Sequence, residues 1–289
     1  MMKRLFLLVC LIVFYGVITV PASRYLLDRP VALKLGYTPS SEAIKLVVGD
    51  QKLLLAESLV IKVLFYFGSL VEKSMNRVDI PPEYYGMFKT LKTAVMLDPY
   101  NQDAYYFAQA AFTWEVGHAE DVNKMLIYGM EYRDWDMLLP FFVGFNAAYF
   151  LKDYEMAAIY TRRAAEISGS DLLTNLTARY FYEANHDQMG IAFLKQREEN
   201  TKDQGMKSLY RLRRESLEAA QALQRSLERF VEKFGHQPEK IDRLVEEGMI
   251  SHLPDDPYGG EFYLDSHGKV RSTSNFSFTR GADAVQDGQ

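Results

Sequence analysis

The chain has 289 residues, 48% of them hydrophobic, and a formal net charge of -5 at pH 7. That length accommodates two domains of ordinary size, and that apolar content supports a real core. The acidic balance excludes the basic face with which proteins grip nucleic-acid phosphates. The single cysteine, Cys10, leaves no disulfide framework and no thiolate metal site.

Lys3 and Arg4 precede a mostly apolar run from Leu5 to Val20. A spanning helix needs about 17–25 residues, and Pro21-Ala22 can extend this one, so residues 1–23 read as an uncleaved signal anchor. The alternative is a cleaved signal peptide, whose apolar core is about 7–15 residues. Val20-Pro21-Ala22 is a poor small-x-small cleavage site, however. Val9 is too large to precede a lipoprotein cysteine, and no pilin-type Gly-Phe leader is present. The basic flank keeps the N-terminus cytoplasmic. A single-pass inner-membrane protein with a periplasmic body is expected.

Residues 24–49 form a connector, broken by Pro30 and the turn Gly36-Tyr-Thr-Pro-Ser40, and then a short helix to about Val48. Leu53–Lys73 reads as a helix apolar on most sides, hence buried between others. Glu57, Lys62 and Gly68 argue against a second membrane span there. Pro81-Pro82 opens the next helix, which ends at Leu97-Asp98-Pro99. Asn101 caps Asp103–Glu115, and Glu120–Glu131 returns after Gly117. Trp135–Phe150 and Tyr154–Ile167 form the next pair, and Leu172–Glu183 and Gln188–Glu198 a third. Pro99 and Gly169 end equivalent helices about two 34-residue periods apart.

Asp203–Phe234 reads as one long amphipathic helix. Leu209, Leu212, Leu217, Ala220, Leu223, Leu227, Phe230 and Val231 form its apolar stripe, and an Arg/Glu face is solvated. Gly235 ends it. A short helix Lys240–Glu247 follows, then a β-hairpin from Glu261–Asp265 and Lys269–Thr273 around Ser266-His267-Gly268.

In Asp153–Ile167, Ala157 and Ala164 sit two helical turns apart and leave room for a neighbouring helix. Ala94 and Pro99 echo them. Residues of about 80–200 thereby resemble tetratricopeptide (TPR) proteins, without the hallmark Trp-Leu-Gly of the first helix. The resemblance implies antiparallel helix pairs that bury their apolar faces by stacking, with Ala94, Pro99, Ala157 and Ala164 as repeat-packing positions. Gly235, Pro238, Leu244-Val245, Gly248, Leu253-Pro254, Asp256-Pro257 and Gly259, with the following hairpin, resemble the globular part of type II secretion pseudopilins. Some of those bind calcium near this loop. Here Asp255, Asp256 and Asp265 are the only candidates, short of the roughly 6–8 oxygens calcium takes.

The fold class expected is thus mainly α. Degenerate TPR-like antiparallel helix pairs (50–200) follow an N-terminal transmembrane helix. A long helix and β-hairpin module (201–275) and a disordered tail (276–289) complete the chain. His118, His186, His236, His252 and His267 all lie in turns without metal-ligand spacing. No G-x-S-x-G and no P-loop occur, so no enzyme, cofactor, metal or small-molecule substrate is expected. The first helices should line a groove, with Asp103, Tyr106 and Ala110 from one pair and Phe142, Asn146 and Tyr149 from the next as partner-binding residues. The expected partners are other envelope proteins and, through residues 5–20, the inner membrane. The expected role is a non-catalytic scaffold, in the setting of pilus or secretion-system assembly. The alternatives are a structural subunit packing through its C-terminal module and an envelope hydrolase.

Overall fold

The computed structural model describes residues 11, 14–21, 35–75 (backbone alone for 71–75), 83–114 and 118–274. The anchor and connector expected over 1–34 lie largely outside this set, although residues 14–21 are helical. The tail expected over 276–289 lies outside it entirely. Among the described residues the protein is mainly helical, with one two-stranded antiparallel sheet. The chain divides into two compact units between Thr93 and Ala94.

In the first unit, the Ser40 hydroxyl accepts from the Ala43 amide and starts α1, Ser41–Val48. A 3-10 turn, Gly49–Gln51, leads into α2, Lys52–Met75. Gly68 lies inside this helix, as expected of a helix over Leu53–Lys73, since glycine inside a long helix costs only about 1 kcal/mol against alanine. Ala56, Leu59, Val60, Val63, Tyr66 and Leu70 recur at three and four and are buried. Ser41–Leu70 is the one stretch among the described residues long and apolar enough to cross a membrane. Helix α3, Tyr84–Leu97, begins in this unit. Its Thr90 hydroxyl meets that of Thr38 at 2.8 Å in a buried contact.

The second unit continues with α4 (Gln102–Phe112), α5 (Ala119–Met130), α6 (Leu138–Asn146), α7 (Tyr154–Ser168), α8 (Asp171–Glu183), α9 (Asp187–Asn200) and α10 (Gln204–Phe234). Each packs on the next. Side chains of Asn101, Asp153, Ser170 and Asp203 accept from amides three residues on and cap α4, α7, α8 and α10; such a cap is worth about 1 kcal/mol. Helix α6 starts later than Trp135, because the Asp136 carboxylate accepts from the Leu138 amide. It passes into a π-helical turn, Ala147–Leu151, which ends on left-handed Lys152. A Cβ on Gly144 would stand 2.4 Å from Thr161 Oγ1 and 3.2 Å from the Ala157 carbonyl. Helices α6 and α7 approach that closely because glycine and alanine face each other. Ala94, Ala157 and Ala164 are fully buried, and the Pro99 carbonyl accepts from the Tyr105 hydroxyl at 3.1 Å.

The division expected at residue 200 falls inside one core. Tyr182 and Leu194 pack with Tyr210, Leu217, Leu223 and Phe230 of α10 and with Phe262 and Val270. On α10 it is Tyr210, not Leu209, that is buried at the start of the stripe. Beyond a single helical turn, α11 (Arg243–Glu246), strands β1 (Phe262–Leu264) and β2 (Val270–Ser272) pair with Phe262 opposite Ser272. The hairpin is fastened to α8. The Tyr182 hydroxyl donates to the Val270 carbonyl, Lys269 Nζ donates to the Tyr182 carbonyl at 2.6 Å, and Arg271 pairs with Glu183. It is also fastened to α10 through Gln224, which accepts from the Val270 amide.

Asp256 closes the junction. Its buried carboxylate accepts from Ser216 of α10 at 2.9 Å, from the Tyr258 amide at 3.1 Å, and from the hydroxyls of Ser272 and Ser274. The Asp-Pro-x-Gly turn is therefore a lock between the long helix and the hairpin.

Candidate functional site

The partner face expected on α4 and α6 contains an unbroken series of ring contacts. Asp103, Tyr106 and Ala110 share the outward side of α4, while Tyr105, Ala108, Gln109 and Phe112 are buried on the other. Tyr106 meets Phe142 edge-on at 5.8 Å. From Phe142 the series runs through Phe141 and Phe145 to Tyr149, which stacks on Phe145 at 5.5 Å. Tyr149 and Phe150 both contact Trp114. Trp114 and Tyr149 are 64% and 54% exposed, so the series ends in rings that are more than half open to solvent.

A second aromatic group adjoins it. The Tyr106 hydroxyl donates to both oxygens of Asp136, and Arg133 donates to the same carboxylate at 3.0 Å. The Arg133 guanidinium also donates to the Tyr100 carbonyl and lies 5.7 Å from the Trp135 ring. Tyr100 stacks on Trp135. Burial, then the charge of Asp136, pushes the Tyr106 hydroxyl up to about 12. It therefore stays a donor at every physiological pH, and the shielded ion pair beneath it fixes the position of the rings rather than adding much stability.

The structure brings Tyr106, Phe142 and Tyr149 together on this face, with Asp103 and Ala110 exposed along the same side of α4. Asn146, expected in the open groove, is instead fully buried. It exchanges two hydrogen bonds with Gln109, at 2.8 and 2.9 Å, and donates to Asn123 at 2.8 Å. An amide with four hydrogen-bonding positions is tolerated inside only when paired in this way. Asn146 ties α4, α5 and α6 together and touches no surface.

Beside Tyr149 lies a hollow of about 220 Å³ lined by Phe145, Lys152, Tyr154, Leu176, Arg179 and Tyr180. Drug-sized ligands fill about 300–1,000 Å³, so the hollow suits one side chain of a partner. A larger polar cavity of about 410 Å³ is lined by Tyr182, Asp187, Gln224, Glu228, His267 and Lys269. Sequence reasoning missed it, because its walls come from α8, α9, α10 and the hairpin. Burial raises the Asp187 carboxyl and lowers the Lys269 ammonium. Lys269 is spent on the Tyr182 carbonyl, and no hydrogen bond joins these ionisable side chains into a nucleophile-base pair.

Among the described residues no three His, Cys, Asp or Glu side chains converge as metal ligands. Asp256 is occupied at the hairpin lock, and Asp265 accepts from the amides of His267 and Lys269 and from Arg271. Burial opposes ionisation of both, but these donors hold both carboxyls below the usual range.

No family model, no curated protein and no solved structure matches this chain.

Proposed function

We propose that the protein is a membrane-anchored, non-catalytic scaffold of the bacterial envelope. Its consecutive helices would act as TPR-like pairs, with the face of α4 and α6 receiving an extended segment of another envelope protein. The observation that carries this reading is the aromatic series from Tyr106 to Trp114. Large rigid rings that end more than half exposed bury much area on docking and lose little rotamer freedom. The hollow beside Tyr149 offers a socket for one anchoring side chain. The membrane part rests on the apolar run Leu5–Val20, and the setting of pilus or secretion-system assembly on the resemblance of the C-terminal motif alone.

The test is a pull-down from crosslinked membranes with the full chain and with a Trp114→Ala/Tyr149→Ala variant. Both side chains are exposed, so the fold should be retained. Loss of the same captured proteins from the variant, at an unchanged melting temperature, supports the reading. An identical captured set overturns it. A Tyr263→Ala variant, altered on the exposed side of the hairpin, separates the reading in which the C-terminal module is the docking element. Deleting that module is a poor test, because Phe262 and Val270 belong to the core.

A further inference from the structure

We propose that the cavity between α8, α9, α10 and the hairpin binds a small organic cation through a primary ammonium head. The inference is independent of the docking face on α4 and α6. The cavity measures about 410 Å³, within the range of about 300–1,000 Å³ that small molecules fill. It is nearly twice the size of the hollow beside Tyr149, so it has room for a whole molecule rather than for one side chain. Ala220, Gln224 and Glu228 line it at four-residue spacing on α10, a row about 12 Å long. Asp187, the first residue of α9, and Lys269, just before β2, complete the polar part of the wall.

Three observations select the ligand. The first is charge. Two carboxylates, Asp187 and Glu228, share the wall with one ammonium, Lys269. That ammonium is committed: it donates to the Tyr182 carbonyl at 2.6 Å and lies 4.3 Å from the centre of the same ring. His186, next to Asp187, is directed at Glu155, 3.7 Å away. Asp187 Oδ1 is buried and has no hydrogen-bond donor among the described residues. A shielded carboxylate without a donor is costly. Burial accordingly raises the Asp187 carboxyl, and the charge of Glu228 raises it further. A cation in the cavity offsets both effects. The second observation concerns the kind of cation. Among the described residues no three His, Cys, Asp or Glu side chains converge, whereas calcium takes about 6–8 oxygens. An ammonium head brings its own N–H donors and is held by one or two carboxylates. The third concerns the body behind the head. Gln224 Oε1 accepts from the Val270 amide, and its Nε2 makes no hydrogen bond among the described residues. One turn from Glu228, it offers a donor to a hydroxyl or carbonyl of the ligand.

The test is isothermal titration calorimetry of the full chain in detergent micelles, near neutral pH, with aminopentanol as the probe. Pentanediol is the uncharged control, and tetramethylammonium supplies the charge without N–H donors. The expected result is saturable binding of aminopentanol, one per chain, and no binding of pentanediol. Binding should weaken by at least about ten-fold in Glu228→Gln, in Asp187→Asn and with tetramethylammonium, since hydrogen bonds to a charged group contribute that much. Glu228 is exposed, so Glu228→Gln keeps the fold and carries the test even where Asp187→Asn melts early. The absence of saturable heat from aminopentanol overturns the inference. So does heat that is unchanged in Glu228→Gln, which would place the binding outside this cavity. Calcium chloride that saturates the chain and abolishes the aminopentanol heat identifies a metal site instead and overturns it as well.

Discussion

The carboxylate of Asp256 accepts a hydrogen bond from Ser216, 40 residues earlier on α10, and from the hydroxyls of Ser272 and Ser274 beyond the hairpin. One buried group therefore joins three separate parts of the chain. Removing it takes a charged acceptor away from the Ser216 hydroxyl, the Tyr258 amide and the hydroxyls of Ser272 and Ser274. Asp256→Ala should destabilise the second unit by at least about 2 kcal/mol, since bonds to a charged group contribute about 1.5–3 each. Thermal melts read by circular dichroism should show a midpoint lower by about 5 °C or more.

The same residue sets a pH dependence. Asp256 titrates below the ordinary carboxylate value in the folded state. Its contribution is complete above the unfolded value of about 3.9 and is lost as the pH falls through the lower folded value. The stability gap between the native chain and Asp256→Asn should be constant near neutrality and narrow below about pH 4. Urea titrations across that range would measure it, and a gap that widened in acid would reverse the assignment.

Gly144 faces Ala157 and Thr161 at the closest approach of α6 and α7. Gly144→Val or Ala157→Leu forces the two helices apart, at a cost of about 1–3 kcal/mol each from overpacking. Because the two positions meet, the double variant should cost less than the sum of the single ones. Full additivity in denaturant melts would show that they do not share one contact.

Asn146 is held by Gln109 and Asn123 in a closed amide network. Asn146→Leu strands two buried amides and should cost about 2–3 kcal/mol. Replacing Gln109 and Asn123 by apolar residues in the same chain should recover part of that loss. Hydrogen exchange of the α4 and α6 amides gives the measurement with local resolution.

Local pattern made the helices legible. Asp153 followed by a three-four repeat reads as α7, and the stripe from Leu217 to Phe230 reads as α10. Both lie within a residue of their expected ends. The hairpin was legible from its alternation around Ser266-His267-Gly268. What was hidden depends on distant partners. Tyr182 and Val270 are 88 residues apart, and nothing in either neighbourhood reports that α8 and the hairpin share a core. Asn146 has the helical spacing of a groove residue, and only the presence of Gln109 and Asn123 beside it makes burial tolerable. The aromatic face was half legible: spacing selected Tyr106, Phe142 and Tyr149. Trp114 and Phe145, which complete the series, gave no signal of their own beyond being aromatic.

The π turn at Ala147–Leu151 gives this face an unusual kind of dependence. Its carbonyls bond one residue further on than in an α-helix, as with Ala147 to the Lys152 amide, so the turn holds one residue more than regular winding would. Tyr149 and Phe150 owe their places opposite Trp114 to that extra residue. Deleting Ala147 or Ala148 would change no side chain of the series yet swing Tyr149 and Phe150 around the helix axis by roughly a quarter turn, the angle of one residue in a helix of 3.6 residues per turn. The face is thus specified by residue count as much as by residue type, and a one-residue deletion there should blunt recognition while leaving composition, charge and helical content almost as they were.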